Sequence, residues 1–250
     1  MHKIRYYENF TDDFETAPNQ ISLPEDYRWI RKDVFSRFIS AVIYGLAVFF
    51  GFFYCRFGLR LKKIYGREKL NGFDGKFFIY GNHTQPVGDV FLPALAAFPK
   101  RIYTVVSTAN YGIPVIGKIL PYLGALPVKE TLSGLKGLKS AISVRISEGH
   151  PVVIYPEAHV WEYYVGIRPF PLTSFKLPAA ENTPTFSSTA VYRKTKVLKR
   201  PKTEIYIDGP FYGAGETSKE KAESLRDQVF EKMTERSKLS DYEYIQYIKK

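Results

Sequence analysis

The sequence predicts an α/β chain in which short buried strands alternate with helices, preceded by a hydrophobic N-terminal segment. Apolar runs at residues 77–80, 102–106 and 151–155 have strand length and are rich in aromatic and β-branched residues. Leu132, Leu135, Leu138, Ile142 and Ile146 recur at spacings of 3, 3, 4 and 4, which marks one face of a helix. Two polar clusters follow strands: Asn82, His83 and Asp89 after the first, and Pro156-Glu157-Ala158-His159 after the third. Open α/β sheets place their sites at such strand ends, so the two clusters are expected to meet at one sheet edge.

The N-terminal elements come first. Residues 1–25 are polar and somewhat acidic, with no apolar core of a cleavable signal peptide. Residues 26–37 mix charge with Trp29, Ile30, Val34 and Phe35 at spacings that predict an amphipathic helix. Residues 38–55 carry no charge and are apolar on every face, which argues against a core helix. The run is close to the lower limit of about 17–18 residues for a spanning helix. Arg31, Lys32 and Arg37 precede it, and Arg56, Arg60, Lys62 and Lys63 follow it. Basic flanks on both sides assign no orientation. They suit a helix or hairpin dipping into the cytoplasmic leaflet at least as well as a full span. The expected division is a membrane-associated arm over 1–63 and one domain over 64–250.

Within that domain, residues 90–98 are expected to be helical despite Pro93, and a glycine- and proline-punctuated loop is expected from 107 to Val128. Gly112 to Gly117-Lys118 approaches a phosphate-binding loop, but Ile119 stands where a Ser or Thr would hold magnesium, so it reads as structural. Residues 203–208 form a further strand, after a basic run from Arg193 to Lys202 that reads equally as a solvated turn or as a contact for anionic lipid or a phosphopantetheine carrier. Thr217-x-x-Glu220 predicts a capping box opening a helix that turns Ala222, Leu225, Val229 and Met233 inward.

A formal net charge of +11 points to nucleic acid or to anionic lipid as a partner. No zinc-finger spacing or basic reading helix is visible, and the basic residues flank apolar segments, so membrane phospholipid is expected and nucleic acid is not. One cysteine allows no intramolecular disulfide and fits a reducing compartment. His2, His83, His150 and His159 lack metal-ligand spacing, so no metal is expected.

A neutral imidazole is suited to take a proton near neutral pH, and a carboxylate on its other nitrogen fixes the tautomer and stabilises the imidazolium. His83 and Asp89 offer that pair. No G-x-S-x-G nucleophile elbow exists, and Cys55 lies inside the apolar run, so the base is expected to activate a hydroxyl of the substrate. Taken alone, the pair reads better as a loop histidine and a helix cap; the second cluster and the order of elements reverse that preference.

Together these motifs resemble the glycerolipid acyltransferase family, whose members include the 1-acylglycerol-3-phosphate acyltransferases. Asn82, His83 and Asp89 match its first motif. Residues 112–117 through Gly124-Ala125-Leu126-Pro127-Val128-Lys129 are similar to the second. Tyr155, Pro156 and Glu157 match the start of the third, and Pro184 stands at the proline of the fourth. The resemblance covers roughly residues 70–210. It implies an α/β sandwich with a mixed β-sheet flanked by helices. It also implies acyl transfer from a thioester, acyl-CoA or acyl carrier protein, to a lysophospholipid or glycerol-phosphate-type hydroxyl, with His83 as base, Asp89 as its partner and no cofactor. Asn82, Glu157, His159, Arg168 and Lys129 are the implied substrate-binding residues. Glu157 would place the acceptor, and Arg168 and Lys129 would neutralise an acceptor phosphate. For His159 three readings stand: orienting Glu157, contacting the acceptor, or packing on Trp161.

Two departures shape the reading. Five residues rather than four separate His83 from Asp89, with Gly88 expected to absorb the extra one through its backbone freedom. Ala158-His159-Val160 replaces the Gly-Thr-Arg of the third motif, and Lys129 stands where the second commonly has arginine. These departures support the alternative of a non-catalytic membrane lipid-binding protein on the same fold.

Overall fold

The computed structural model describes residues 3–15, 21–196 and 198–250. The chain opens with β1 (Lys3–Tyr7), α1 (Val34–Phe53) and β2 (Leu61–Tyr65). The Asp33 carboxylate accepts the Ser36 N–H at 2.7 Å and so caps α1. The helix therefore starts later than the amphipathic pattern from residue 26 predicts. Trp29 and Ile30 pack onto the core from irregular backbone instead, and the Trp29 indole N–H donates to the Pro127 carbonyl at 3.1 Å. Burying the indole with its donor satisfied outweighs a weak helical pattern.

The expected division at residue 63 falls inside β2, which pairs in parallel with a late strand of the main sheet. β1 likewise pairs with the last strand of the chain. The N-terminal region is therefore built into the domain rather than appended to it.

There follow β3 (Phe78–Gly81), α2 (Gly88–Ala97), β4 (Tyr103–Ser107), α3 (Ile116–Leu123), β5 (Ala125–Val128), α4 (Leu132–Ser147) and β6 (Val152–Ile154). The stretch expected to be a loop up to Val128 holds a 3₁₀ turn, α3 and β5. Pro114, Pro121 and Pro127 obscure them in the sequence. β5 is an edge strand, where a proline costs no ladder bond. Gly117 of the near-phosphate loop serves packing: a Cβ there would lie 2.0 Å from the Tyr111 carbonyl oxygen.

The chain ends with α5 (Lys176–Ala180), β7 (Thr185–Arg193), β8 (Lys202–Phe211), α6 (Ser218–Ser237) and β9 (Ile245–Lys249). The main sheet has seven strands in the order β2-β8-β7-β3-β6-β4-β5, with β7 and β8 antiparallel and the other pairs parallel. It is thus a mixed sheet with β3 at its centre. Phe77, Ile79, Val153 and Phe186 face α2 and the inner side of α1. Phe78, Tyr80 and Val152 face α4 and α6. The capping box of α6 forms as expected, with Thr217 and Glu220 each accepting the other's backbone N–H.

α1 is docked along its length. Ser40 Oγ donates to the Tyr122 carbonyl at 2.7 Å, the Ile102 N–H donates to the Tyr44 hydroxyl at 3.1 Å, and a Cβ on Gly51 would lie 2.3 Å from the Phe91 ring. Its other side exposes Phe35, Phe38, Leu46, Phe49, Phe50 and Phe53. The helical stretch Val34–Gly58 is long and apolar enough to cross a membrane.

Asp208 of β8 holds two layers to the sheet. It accepts from Arg236 of α6 at 2.8 Å through both oxygens, and from Lys69 at 3.1 Å. Burial would raise its carboxyl, but these hydrogen bonds and charges outweigh it and hold Asp208 below its ordinary range. A carboxyl lowered in the folded state contributes stability above the unfolded value, near pH 4, and loses it as pH falls through the folded one. Asp208→Asn should therefore lower stability by about 1–2 kcal/mol at neutral pH, the partly exposed cations being screened. Urea titrations should show the gap between the two proteins closing below about pH 4.

Candidate active site

The site grows from the C-terminal ends of β3 and β6. At the end of β3, a Cβ on Gly81 would lie 2.4 Å from the Tyr155 ring, so glycine lets the two strand ends approach. Asn82 follows, buried, with its amide clasping Ala190 of β7. Its Oδ1 accepts the Ala190 N–H at 2.8 Å and its Nδ2 donates to the Ala190 carbonyl at 3.2 Å. The side chain expected to bind substrate is committed to the scaffold, because a buried amide must be satisfied and β7 supplies both partners.

His83 comes next and is held at ring and backbone. Its Nδ1 lies 2.7 Å from Asp89 Oδ2. The ring stacks on Tyr155 with centroids 4.5 Å apart. The side chain is 20% exposed, and among the described residues Nε2 has no protein partner. The tautomer with hydrogen on Nδ1 follows, with the lone pair on Nε2 facing outward.

Asp89 lies in the first turn of α2, buried, and its Oδ2 also accepts the Gln85 N–H at 2.9 Å. Burial pushes its carboxyl above the ordinary range, against the hydrogen bonds and charge of His83 and the backbone N–H groups, which favour the ionised form. The extra residue of the spacing is absorbed by the turn 84–88. Gly88 does not adopt a left-handed conformation there; it provides room, since a Cβ would lie 2.4 Å from Leu59. Beneath the turn, the Tyr192 hydroxyl lies 2.6 Å from Thr84 Oγ1 and accepts from Gln85 Nε2 at 2.9 Å. Thr84, Gln85 and Tyr192 support the site without any sequence signal beyond their polarity inside apolar surroundings, whereas Tyr155 belongs to the third motif.

Glu157 joins the two clusters. Its Oε2 accepts the backbone N–H of His83 at 3.0 Å and Arg168 Nη2 at 3.0 Å, and its Oε1 accepts the Arg168 N–H at 2.9 Å. The loop after β6 adds main-chain bonds from Trp161 N–H to the His83 carbonyl and from Tyr163 N–H to the Thr84 carbonyl. The carboxylate is enclosed and fully used by protein donors.

Arg168 is likewise internal, with a side chain 1% exposed. It stacks over Trp161 at 4.8 Å and donates to Glu157, to the His159 carbonyl and to the Phe10 carbonyl. The resemblance sets Arg168 against an acceptor phosphate; in this structure its guanidinium is turned inward and neutralises Glu157. Burial of one charge demands the other. His159 points elsewhere, pairing with Asp13 through Nδ1 at 3.3 Å. Ala158 takes the left-handed conformation, φ 63°, where the resembling motif has glycine. Lys129 lies beyond the end of β5, three strands from β3, and its Nζ donates to the Pro24 carbonyl at 2.8 Å. Among the described residues, no cluster of His, Cys, Asp and Glu side chains forms a metal site.

Removing Arg168 would leave Glu157 buried and uncompensated. Arg168→Ala should cost about 3–5 kcal/mol of stability. Adding Glu157→Gln to it should recover part of that loss in thermal or urea unfolding, because the stranded charge is gone.

No family model matches the sequence, and no curated protein matches it. Among solved structures, the chain is similar to the 1-acyl-sn-glycerophosphate (LPA) acyltransferase PlsC from Thermotoga maritima, with a TM-score of 0.53 and 14% sequence identity. The likeness covers 82% of this chain and 94% of that one, and it shows that the two share a fold.

Proposed function

We propose that this protein is an acyltransferase that moves a fatty acyl group from a thioester to a hydroxyl of a lysophospholipid or glycerol-phosphate-type acceptor. The single observation carrying this reading is the His83–Asp89 pair at 2.7 Å, with Nε2 open at the edge of a sheet shared with an LPA acyltransferase. Nε2 takes the acceptor's hydroxyl proton as the oxygen attacks the thioester carbonyl. Asp89 keeps hydrogen on Nδ1 and stabilises the imidazolium. Collapse of the tetrahedral intermediate breaks the carbon–sulfur bond, and the leaving thiolate takes the proton back from Nε2. Acyl-CoA or acyl carrier protein supplies the thioester as substrate, and no step calls on a cofactor. Glu157 and Arg168 act on the backbone of His83 and not on the acceptor, so they are positioning residues.

The reading extends to the membrane. α1 is fastened to the domain at Ser40, Tyr44 and Gly51 while a row of phenylalanines faces outward. A helix docked along its length on a polar domain is placed to lie within one leaflet. Spanning would carry the domain's polar surface into hydrocarbon. Its C-terminal half packs against α2, which carries Asp89, so the site opens beside the lipid that would supply the acceptor. We take this leaflet to be the cytoplasmic one, a reading that a single unpaired cysteine supports.

His83→Ala should lower acyl transfer by about 10²–10⁴-fold or more while unfolding transitions stay in place. Asp89→Asn should be severely impaired as well. Release of free thiol, with mass spectrometry of the lipid products, reads both. Wild-type protein that binds lysophospholipid yet turns over neither thioester would instead favour the lipid-binding alternative.

Since β1 and β2 belong to the sheets, attachment is better tested by substitution than by truncation. Phe49→Glu with Phe53→Glu should abolish sedimentation with phosphatidylcholine vesicles at high salt, where screening leaves only apolar burial to hold the protein. Retention on the vesicles would place the membrane face elsewhere.

A further inference from the structure

A cavity of about 620 Å³ lies at the N-terminal ends of β4 and β6, whereas His83 follows the C-terminal end of β3. Its walls come from the N-terminal end of α1, the end of α3, and the residues that lead into β4 and β6. Five cations line it, Arg31, Lys32, Arg37, Arg101 and Arg145, against one carboxylate, Glu148. Neither the catalytic pair nor the packing of the sheet requires this concentration of charge.

The inner cations are held in place by neutral groups. Arg101 Nη2 donates to Ser40 Oγ at 2.6 Å and to the Tyr122 carbonyl at 2.8 Å. The guanidinium groups of Arg101 and Arg145 lie 5.2 and 4.4 Å from the centre of the same Tyr103 ring. Among the described residues, both side chains keep a buried Nε–H with no acceptor. Arg31 is held over the Tyr122 ring at 5.6 Å. Among the described residues, Arg145 pairs with Glu148 at 2.7 Å, and the other four cations form no ion pair, although Arg31 feels the charge of Asp33. Buried donors without acceptors and crowded like charges are both costly, and one anion with several oxygens relieves both. Burial first, and the neighbouring Arg145 and Arg101 after it, hold the wall residue His150 below its ordinary range, against the pull of Glu148.

The position of the cavity selects the kind of anion. Ser36, Arg37 and Ser40 in its wall lie on the same turns of α1 as the outward-facing Phe35 and Phe38. If those rings sit among acyl chains, the cavity mouth is at the level of lipid phosphates. We propose that this cavity binds the phosphate headgroup of an anionic membrane phospholipid, as a site separate from the catalytic centre. The assignment rests on α1 lying in the leaflet. It gives the enzyme a phosphate-anchored contact at one end of α1, with the catalytic edge at the other.

The test uses the full chain and short-chain phosphatidylglycerol below its micelle concentration, so that no bilayer is needed. Trp29 lines the cavity and reports occupancy by its fluorescence. A saturable change is expected, lost in Trp29→Phe and retained in His83→Ala. Arg31→Gln with Arg37→Gln should weaken binding by about tenfold or more, on the scale of two lost lipid–cation contacts. Arg56→Gln with Lys63→Gln removes the same charge at the other end of α1 and should change it little. Unfolding curves would establish that each variant is folded. Equal weakening by both pairs, or no saturation, overturns the proposal in favour of diffuse attraction. Inorganic phosphate binding as tightly as the lipid overturns the lipid assignment. Sedimentation with pure phosphatidylcholine vesicles separates the two readings: its absence alongside saturable headgroup binding removes the leaflet placement and leaves the cavity.

Discussion

The site depends on one buried carboxylate. Glu157 has no solvent to satisfy it, so its oxygens must be met by protein donors. The donors are the backbone N–H of His83, the backbone N–H of Arg168 and the Arg168 guanidinium. The first fixes the turn after β3 to the turn after β6. The others fold the loop 158–168 back over the motif. Arg168 in turn collects the carbonyls of His159 and Phe10, so the N-terminal arm closes over the same charge. A histidine proposed to act as a base from a loop needs such external fixation, because a loop's own backbone bonds do not define it within catalytic tolerance.

The same logic accounts for an N-terminal region that looks like an appendage in the sequence and is built into the structure. Phe10 lies 6.0 Å and Phe14 5.3 Å from the Trp161 ring centre, while Tyr7 and Tyr247, from β1 and β9, flank the same indole. The indole N–H donates to the Asp12 carbonyl at 2.8 Å. The two-stranded β1–β9 sheet therefore acts as a cover that keeps water from the Glu157–Arg168 pair. Low local dielectric strengthens that pair and with it the hold on His83.

What could be read in the sequence follows from what the sequence encodes locally. The apolar strands β3, β4 and β6, the periodic α4 and the capped α6 each carry their signal within a short window, and the structure has them within a residue or two. β7 carries no such signal. It reads Thr-Phe-Ser-Ser-Thr-Ala-Val-Tyr-Arg, yet Ser187, Ser188 and Thr189 are buried at the centre of the sheet, where polar side chains are tolerated only in finished tertiary surroundings. β1, β2 and β9 are equally silent, because their partners lie at the far end of the chain. At the site, the proximity of His83 and Asp89 could be read from spacing. The enclosure of Arg168 could not, since burial of its guanidinium depends on Phe10, 158 residues earlier in the chain, as well as on the nearby Trp161.

This last difference changes how the altered third motif is understood. On sequence alone, the loss of an arginine beside Glu157 and the presence of one at Arg168 suggest a displaced phosphate ligand. The structure gives the guanidinium a different task, set by electrostatics: a carboxylate buried to hold His83 requires a buried countercharge, and Arg168 is the one in reach. An arginine used in that way is not available to solvent. On the proposed function, recognition of an acceptor phosphate, where there is one, then falls to groups at the proposed protein–lipid boundary. There the basic residues flanking α1 stand beside exposed phenylalanines, and a phospholipid presents its phosphate at that level by its own orientation in the leaflet. On that same proposal, a protein fastened to the surface can leave part of the orientation of its acceptor to the membrane.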